Sequence, residues 1–239
     1  MEPHLTQLAV LPATGILHDF SHDRFPSVVA GWSQGTLPLS DAGTHFGFIA
    51  SGSARLSFEG RSYELAEGMY FSLPQSGELA GDGSGFVATR LDCRGFIHLG
   101  GPIEPQGRLR YIDGCTDSLL IPPVMKGDPC LNLLSVPKHA DQTAHTHPSL
   151  RVGMIVRGRG ICRTEQGEFD LQPGMVFHLP ADLVHSFHTR EEPLLIVAWH
   201  PDSDFGPTHE VHPMLNRTLI AGPSAGRRVS EGKGRHEVS

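Results

Sequence analysis

The chain has 239 residues, a net charge of −7 with histidine counted as neutral, 28 glycines and 19 prolines. The negative charge argues against a nucleic-acid partner, because such surfaces are basic, and no apolar run is long enough to cross a membrane. Four cysteines without a Cys-x-x-Cys pair, and an N-terminus without a basic leader, predict a reduced cytoplasmic protein. The abundant glycine and proline favour many short strands over long helices.

Short strands are predicted throughout the N-terminal half. Apolar or alternating stretches bounded by turn residues occupy 46–50, 54–59, 62–65, 70–74 and 86–91. Strands at this spacing are typical of a sandwich or a small barrel. The first ten residues are given no element, and the segment 101–112, which begins with glycine and proline, is predicted to be a linker.

The strand pattern then recurs at an offset of 106 residues, which takes Gly47 to Gly153. The same offset relates three further groups of residues: Gly52 with Gly158, Gly68-Met69 with Gly174-Met175, and Phe71-x-Leu73-Pro74 with Phe177-x-Leu179-Pro180. An ungapped register of this kind indicates an internal duplication. The sequence therefore predicts an all-β chain of two tandem antiparallel barrels, with these segments: an N-terminal barrel at 1–100, a linker at 101–112, a C-terminal barrel at 113–220 and a disordered tail at 221–239.

Three histidines of the second copy predict a metal site. His145 and His147 are two residues apart, and on a strand such side chains point to the same face. His185 opens a later strand, after Pro180 has ended the one before it. If these strands lie on facing walls of a barrel, the three imidazoles can hold a divalent ion and leave positions open for chemistry. The corresponding positions of the first copy lack histidine; they are Leu39, Asp41 and Leu79.

These motifs resemble those of the cupin superfamily. The first cupin motif, two histidines followed by a glutamate and a glycine, is matched by His145, His147, Arg151 and Gly158. The second motif, a glycine, a proline, a glycine, a histidine and an asparagine, is matched by Gly174, Pro180, Asp182, His185 and Thr189. The whole chain is similar to a bicupin, and this resemblance implies two jelly-roll barrels, or double-stranded β-helices, with a mononuclear metal inside the second.

The resemblance also suggests a reaction class. Arg151 stands where the family usually has its glutamate ligand, and the remaining three histidines are similar to the ligand set of cupin dioxygenases that use Fe(II) and O₂. Fe(II) is therefore the expected metal, with Zn, Ni or Mn as alternatives. A non-redox isomerase, lyase or decarboxylase, in which the ion polarises a carbonyl, stays open, as does a small-molecule-binding protein without catalysis.

Arg151 is predicted to be a catalytic residue that binds substrate. It follows His147 by four residues and therefore points to the same side of a strand. A buried cation needs a partner. An internal acid such as Glu165 or Asp170 is one candidate, and the carboxylate of a substrate is the other. The substrate is favoured, because three neutral ligands leave the charge of the ion unneutralised.

His178 and His200 are the predicted proton-transfer residues, because histidine titrates near neutral pH. The predicted partner is a small, carboxylate-bearing molecule, with no nucleic acid and no membrane. A homodimer is also predicted, from the apolar faces of the first barrel that contain Phe46, Phe48 and Phe71.

Overall fold

The computed structural model describes residues 4–222 and 224–227. Nearly all of the regular structure in this part of the chain is antiparallel β-sheet, which confirms the predicted all-β class. The first half contains β1 (Thr6–Val10), β2 (Gly15–Phe20), β3 (Ser27–Leu39), β4 (Gly43–Ser51), β5 (Ser53–Phe58), β6 (Arg61–Ala66), β7 (Tyr70–Leu73), β8 (Gly77–Leu91) and β9 (His98–Gly100).

The second half has the same character. A one-turn 3₁₀ helix (Ile112–Gly114) lies near its start, and a short helix α1 (Pro213–Arg217) lies near its end. Its strands are β10 (Leu109–Arg110), β11 (Thr116–Ile121), β12 (Cys130–Val136), β13 (Arg151–Arg157), β14 (Gly160–Thr164), β15 (Gly167–Leu171), β16 (Met175–Leu179), β17 (His185–His188) and β18 (Leu194–His200). In the described residues, no helix has the length and apolar character needed to span a membrane.

The strands form an N-terminal lobe and a C-terminal lobe. The N-terminal lobe is one sheet in the order β2-β3-β8-β4-β7-β9, with β5 paired to β6 and β8. The C-terminal lobe has a large sheet in the order β1-β16-β13-β18-β12-β11-β10 and a small sheet in the order β15-β14-β17. The two sheets of the C-terminal lobe enclose a common interior, because side chains from both belong to one buried cluster.

Each lobe has its own apolar interior, and a third cluster joins the lobes. The N-terminal interior includes Trp32, Ile49, Leu56 and Phe71. The C-terminal interior includes Ile155, Cys162, Phe177 and Phe187. The joining cluster includes Phe46, Phe48, Val152, Met154 and Trp199. The apolar faces on which the homodimer prediction rested are thus covered within one chain, and that argument for a dimer was wrong.

The predicted duplication has a structural counterpart. Gly47 lies opposite Phe71 across β4 and β7, and Gly153 lies opposite Phe177 across β13 and β16. In each pair the aromatic ring covers the glycine, and a Cβ on the glycine would overlap that ring. The two lobes therefore share the register of one antiparallel strand pair, in addition to the sequence positions matched by the 106-residue offset.

This packing predicts the effect of a methyl group at either glycine. We expect Gly47→Ala and Gly153→Ala each to lower the free energy of unfolding by about 1–3 kcal/mol, because overpacking forces a buried ring out of place. Urea denaturation measures the loss. Because Phe177→Leu removes the ring that the new methyl group would strike, the double variant Gly153→Ala/Phe177→Leu should lose less free energy of unfolding than the two single variants lose together. A loss in the double variant equal to or larger than the sum of the two single losses would contradict the proposed contact.

The lobes depart from the predicted boundaries at their ends. β1, in the first ten residues, pairs with β16 and so extends the large sheet of the C-terminal lobe. β10, inside the predicted linker, pairs with β11. Both are short edge strands, whose few residues carry little hydrophobic pattern, and both cover strands that would otherwise present unpaired edges. Of the predicted tail, Ser224 bridges to Leu219, while residues 223 and 228–239 lie outside the described residues.

Candidate metal centre

The three predicted histidines come together in the C-terminal lobe. His185 opens β17, as the sequence predicts. His145 and His147, however, lie in the irregular segment before β13 and not on a regular strand. An isolated antiparallel bridge replaces the strand: the backbone N–H groups of His145 and His185 each donate to the carbonyl oxygen of the other at 3.0 Å. This bridge aligns the segment with β17 and sets the two rings with their centroids 4.6 Å apart.

The nitrogen atoms of the triad fit a single ion. One nitrogen atom from each ring can be chosen so that all three lie within 4.8 Å of one another. Nitrogen ligands bind such ions at about 2.1 Å and stand roughly 3.5 Å apart around a tetrahedral centre, so small ring rotations suffice. All the donors of this group are imidazoles, and such a set suits Fe, Zn, Ni or Cu better than Mg or Ca.

Hydrogen bonds orient two of the rings. Nδ1 of His145 lies 3.0 Å from the carbonyl oxygen of Thr143, and Nδ1 of His185 lies 2.9 Å from that of Leu183. Because a carbonyl oxygen only accepts, each Nδ1 carries the proton, and each Nε2 keeps its lone pair for an ion. In both ligands, a hydrogen bond from Nδ1 to the carbonyl oxygen two residues earlier thus fixes the tautomer and the orientation of the ring.

Two rings of the triad, those of His147 and His185, are uncharged near neutral pH, as metal ligands must be. Burial, together with the nearby Arg151, lowers the pKa of His147 to about 3. Burial lowers the pKa of His185 to about 4. Protons therefore compete weakly with a metal ion for these two rings.

The turn before His185 also fits the motif. Asp182 has a φ of 60°, a left-handed conformation that favours glycine. Its backbone N–H donates to the carbonyl oxygen of His147 at 2.8 Å, which ties the turn to the segment that carries the other two ligands. Aspartate is among the residues that tolerate this conformation, so the departure from the motif glycine leaves the turn intact.

A cavity of about 490 Å³ opens beside the triad. Its floor is a row of paired residues across the large sheet: Asn132, Ala198, Gly153 and Phe177. Within this row, the ring of Phe177 covers Gly153. Alternation along β13 directs Arg151 and Gly153 into the cavity while Val152 and Met154 face the other lobe.

Arg151 is 4% exposed and lines the cavity, on the side that the sequence predicts. Its Nη1 donates to Ser149 Oγ at 2.6 Å and to the carbonyl oxygens of Ser149 and Leu150. Its Nη2 lies 3.7 Å from Asp204 Oδ2, while Nε and Nη2 make no hydrogen bond. The alternative partners Glu165 and Asp170 were wrong: the neighbouring acid is Asp204, whose side chain is 41% exposed.

Of the two predicted proton-transfer histidines, the structure brings His200 to the site. It lines the cavity, its ring centroid lies 6.5 Å from that of His147, and its buried Nδ1 has no hydrogen-bond partner. Burial, assisted by Arg151, holds the pKa of His200 well below its usual range. The ring is therefore neutral, and can donate or accept a hydrogen bond inside the cavity.

His178 is not brought to the site, and its assignment is corrected. Phe177 and Leu179 of β16 point into the cavity, so the side chain between them points out of it. The ring of His178 packs against Phe20, with centroids 4.8 Å apart, and lies 6.1 Å from that of His18. The alternation of β16 was visible in the sequence and already excluded Phe177 and His178 from sharing one face.

Four polar residues of the cavity were missed in the sequence. They are Tyr111, Asp117, Asn132 and Asp204. The ring of Tyr111 meets His145 edge-on at 6.3 Å. Asp117 Oδ1 and Asn132 Oδ1 are buried without hydrogen-bond partners. Tyr111 lies inside the predicted linker and Asp204 lies in a loop, so hydrophobic periodicity gave no signal for them, and Asp117 and Asn132 lie on β11 and β12, where no strands were predicted from the sequence.

Asp117 gives the site a measurable pH signature. Burial raises the pKa of its carboxyl to about 7, so the folded chain keeps a proton that the unfolded chain releases near pH 4. The contribution of this protonated carboxyl to the free energy of unfolding is therefore fully present below about pH 4 and is lost as the pH rises through 7. We expect metal-free Asp117→Asn to be more stable than the parent at pH 8, by on the order of 2 to 4 kcal/mol, with the gain shrinking towards pH 4.

Urea denaturation between pH 4 and pH 8 checks this expectation. Asp41→Asn, at an exposed aspartate of the N-terminal lobe, is the matched control and should leave the pH profile unchanged. A gain from Asp117→Asn that is equal at all pH values would contradict the burial of an uncharged carboxyl.

A hydrogen-bonded relay lies on the outer face of β17. Ser186 Oγ is 2.7 Å from His188 Nε2, and His188 Nδ1 is 2.6 Å from Asp141 Oδ1. Serine hydrolases use this order of groups, but Ser186 is 5% exposed and lies outside the lining of the adjoining pocket. We therefore interpret the relay as a structural link that fastens β17 to the segment leading to His145.

A jelly-roll lobe with three histidines turned into its interior defines a cupin-type barrel with a candidate metal centre. Residues 132–200 match the family model described as Cupin domain. This stretch lies in the C-terminal lobe and includes the three histidines, Arg151 and His200.

Solved structures of other proteins share this fold. A cupin 2 conserved barrel domain protein from Leptotrichia buccalis has 11% identity and a TM-score of 0.56, with 83% of this chain and 88% of that chain covered. A deletion mutant of Bacillus subtilis oxalate decarboxylase has 14% identity and a TM-score of 0.52, covering 83% and 77%. A mutant of salicylate 1,2-dioxygenase from Pseudoaminobacter salicylatoxidans has 10% identity and a TM-score of 0.54, covering 73% and 70%. No curated protein sequence matches the chain.

Proposed function

We propose that the chain is a bicupin whose C-terminal lobe is a mononuclear metal-dependent enzyme for a small, carboxylate-bearing molecule. One observation carries the proposal: three imidazoles converge at a cavity whose wall holds a buried arginine with two nitrogen atoms that make no hydrogen bond. His145, His147 and His185 are the proposed ligands, through their Nε2 atoms. The N-terminal lobe, which has leucine and aspartate at the corresponding positions, is a scaffold that covers the outer face of β13.

The proposed reaction is that of an Fe(II) dioxygenase. When bound, Fe(II) supplies the electrons for reaction with O₂ and offers positions for both reactants, because three protein ligands leave part of its coordination sphere open. The protein's own part is to bind and to exclude water. Arg151 binds the substrate carboxylate, the apolar floor around Phe177 excludes solvent, and His200 donates or accepts one hydrogen bond beside His147. Zn, Ni and Mn are the alternative metals.

A second candidate is a non-redox decarboxylase, isomerase or lyase. It is favoured by Asp117, whose pKa of about 7 suits a group that gives and takes protons at neutral pH. Structures of both reaction classes share this fold at 10–14% identity, which supports the fold and leaves the choice of chemistry to experiment. A cytoplasmic location and the predicted lack of a nucleic-acid partner stay predictions.

An oxygen electrode and a carbon dioxide assay on protein purified without chelator separate these candidates. Small hydroxy, keto and aromatic acids are the substrates screened. Oxygen uptake that requires bound iron and disappears in His147→Ala supports the dioxygenase. Product formation without oxygen uptake supports the second candidate. Uptake unchanged by His147→Ala would contradict the proposal, and thermal shifts with acids but no turnover in any metal form would reduce the chain to a binding protein.

A further inference from the structure

The cavity contains an unusual concentration of unsatisfied polar atoms. Among the buried side-chain nitrogen and oxygen atoms of the described residues, six have no hydrogen-bond partner, and five of the six belong to Asp117, Asn132, Arg151 and His200. All four residues line the cavity beside the triad. Because leaving such an atom buried and unpaired costs about 1–3 kcal/mol, their clustering points to a ligand that pairs with them.

The unpaired atoms are sorted by type. The donors, Nε and Nη2 of Arg151, lie on β13 next to the triad. The acceptors, Oδ1 of Asp117 and Oδ1 of Asn132, lie on β11 and β12. A carboxylate satisfies the first group but offers no hydrogen to Oδ1 of Asn132, and the carboxyl of Asp117 keeps an acceptor oxygen whether or not it is protonated. A ligand that satisfies both groups must therefore carry a hydrogen-bond donor as well as a carboxylate.

Sheet register sets the two groups at the separation of a small molecule. Asn132 pairs with Ala198 of β18, Ala198 pairs with Gly153 of β13, and Arg151 lies two residues before Gly153 on that strand. Two strand spacings and two residues separate the Cα atoms of Asn132 and Arg151 by about 12 Å, and both side chains line the same cavity. Tyr111 is within electrostatic reach of both Asp117 and Arg151, as expected for groups around one space.

The acceptor side is built into the sheet. Asn132 is 5% exposed, and its strand is paired on both sides, by β11 and by β18. Leu119 lies opposite Asn132, and Leu134 lies opposite Asp117, so the two polar side chains stand among apolar ones on the cavity wall. A polar pair held by regular sheet in an apolar wall is suited to recognise one group at one place.

We propose that Asp117 and Asn132 form a second recognition site, which binds a hydroxyl or amino group of the same molecule whose carboxylate binds Arg151. The inference rests on the proposed function for the carboxylate and narrows the substrate to hydroxy or amino carboxylic acids. Because Asp117 and Asn132 bind the hydroxyl or amino group directly, the preference for ligands with that group does not require the metal.

The test compares benzoate with its 2-, 3- and 4-hydroxy and amino derivatives, by calorimetric titration of metal-free and Fe(II)-loaded protein under nitrogen. We expect at least one derivative to bind ten times or more as tightly as benzoate in both forms, and the hydroxy and amino arms show which donor is preferred. Asn132→Leu, which keeps the volume but removes the acceptor, should reduce the preference to less than threefold and leave benzoate affinity unchanged. Asn132→Asp and Asp117→Asn, which keep an acceptor oxygen, should retain part of it.

Four results would overturn the inference. The first is equal affinity for benzoate and all its derivatives. The second is a preference that survives Asn132→Leu in metal-free protein, which would place the donor group elsewhere in the cavity. The third is a preference that exists only in the metal-loaded form, which would place the donor group on the metal; in both of these cases the proposed function stands. Absence of all binding by a folded parent would overturn the carboxylate assignment of the proposed function together with the inference. Should Asn132→Leu fail to fold, Asp117→Asn and Asp117→Leu decide the same question.

Discussion

Replacing Arg151 with leucine is expected to weaken the binding of benzoate and other small carboxylates by about 100-fold or more. Two nitrogen atoms of the guanidinium, Nε and Nη2, are buried and make no hydrogen bond, and they form the side of the planar fork that binds a carboxylate. Hydrogen bonds to charged groups contribute about 1.5–3 kcal/mol each, and every 1.4 kcal/mol is about tenfold in affinity. Calorimetric titration of parent and variant measures the difference.

Two variants control for charge and for folding. Arg151→Lys keeps the cation but loses the fork, so its affinity should lie between those of the parent and Arg151→Leu. Arg157→Leu removes an exposed arginine from the other end of β13 and should leave binding unchanged. Carboxylate affinity unaltered in Arg151→Leu would contradict the assignment and would give the guanidinium a structural role with Asp204, 3.7 Å away.

Replacing His185 with alanine is expected to abolish stoichiometric metal binding. The parent should hold about one divalent ion per chain, and the variant should bind at least 100-fold more weakly, because two remaining imidazoles lose both a bond and the geometry that the bridge between His145 and His185 imposes. Elemental analysis and competition with a coloured chelator measure this loss.

Thermal unfolding gives an independent measure of the same site. An ion at 1,000 times its dissociation constant stabilises the native state by about 4 kcal/mol, so added metal should raise the Tm of the parent and leave that of His185→Ala unchanged. His22→Ala, at an exposed histidine of the N-terminal lobe, is the matched control. Loss of metal in His22→Ala, or full retention in His185→Ala, would contradict the triad.

The triad and the repeat that relates the two lobes could be predicted from the sequence. His145, His147 and His185 are chemically distinctive, and the 106-residue offset relates Gly153 to Gly47 and Phe177 to Phe71. The structure supplies the physical reason for this repeat: each phenylalanine ring lies where a Cβ on the paired glycine would be. That packing was not part of the sequence-based prediction, because it depends on which strands pair.

Features set by distant pairing were not predictable in the same way. The strand expected around His145 and His147 is an irregular segment, aligned by one bridge to β17. Edge strand β1 joins the lobe at the other end of the sequence, because β16 offers an unpaired edge there. Asp117 and Asn132 are unremarkable polar residues until β11 and β12 place them side by side on the cavity wall.

Diffraction from crystals of the metal-loaded protein, recorded at the absorption edge of iron, tests the central claim most directly. The account predicts one anomalous peak per chain, at about 2.0–2.2 Å from the Nε2 atoms of His145, His147 and His185, with the guanidinium of Arg151 facing the open side of the ion. A peak bound by other side chains, or an iron-loaded crystal in which these three rings hold no ion, would contradict it.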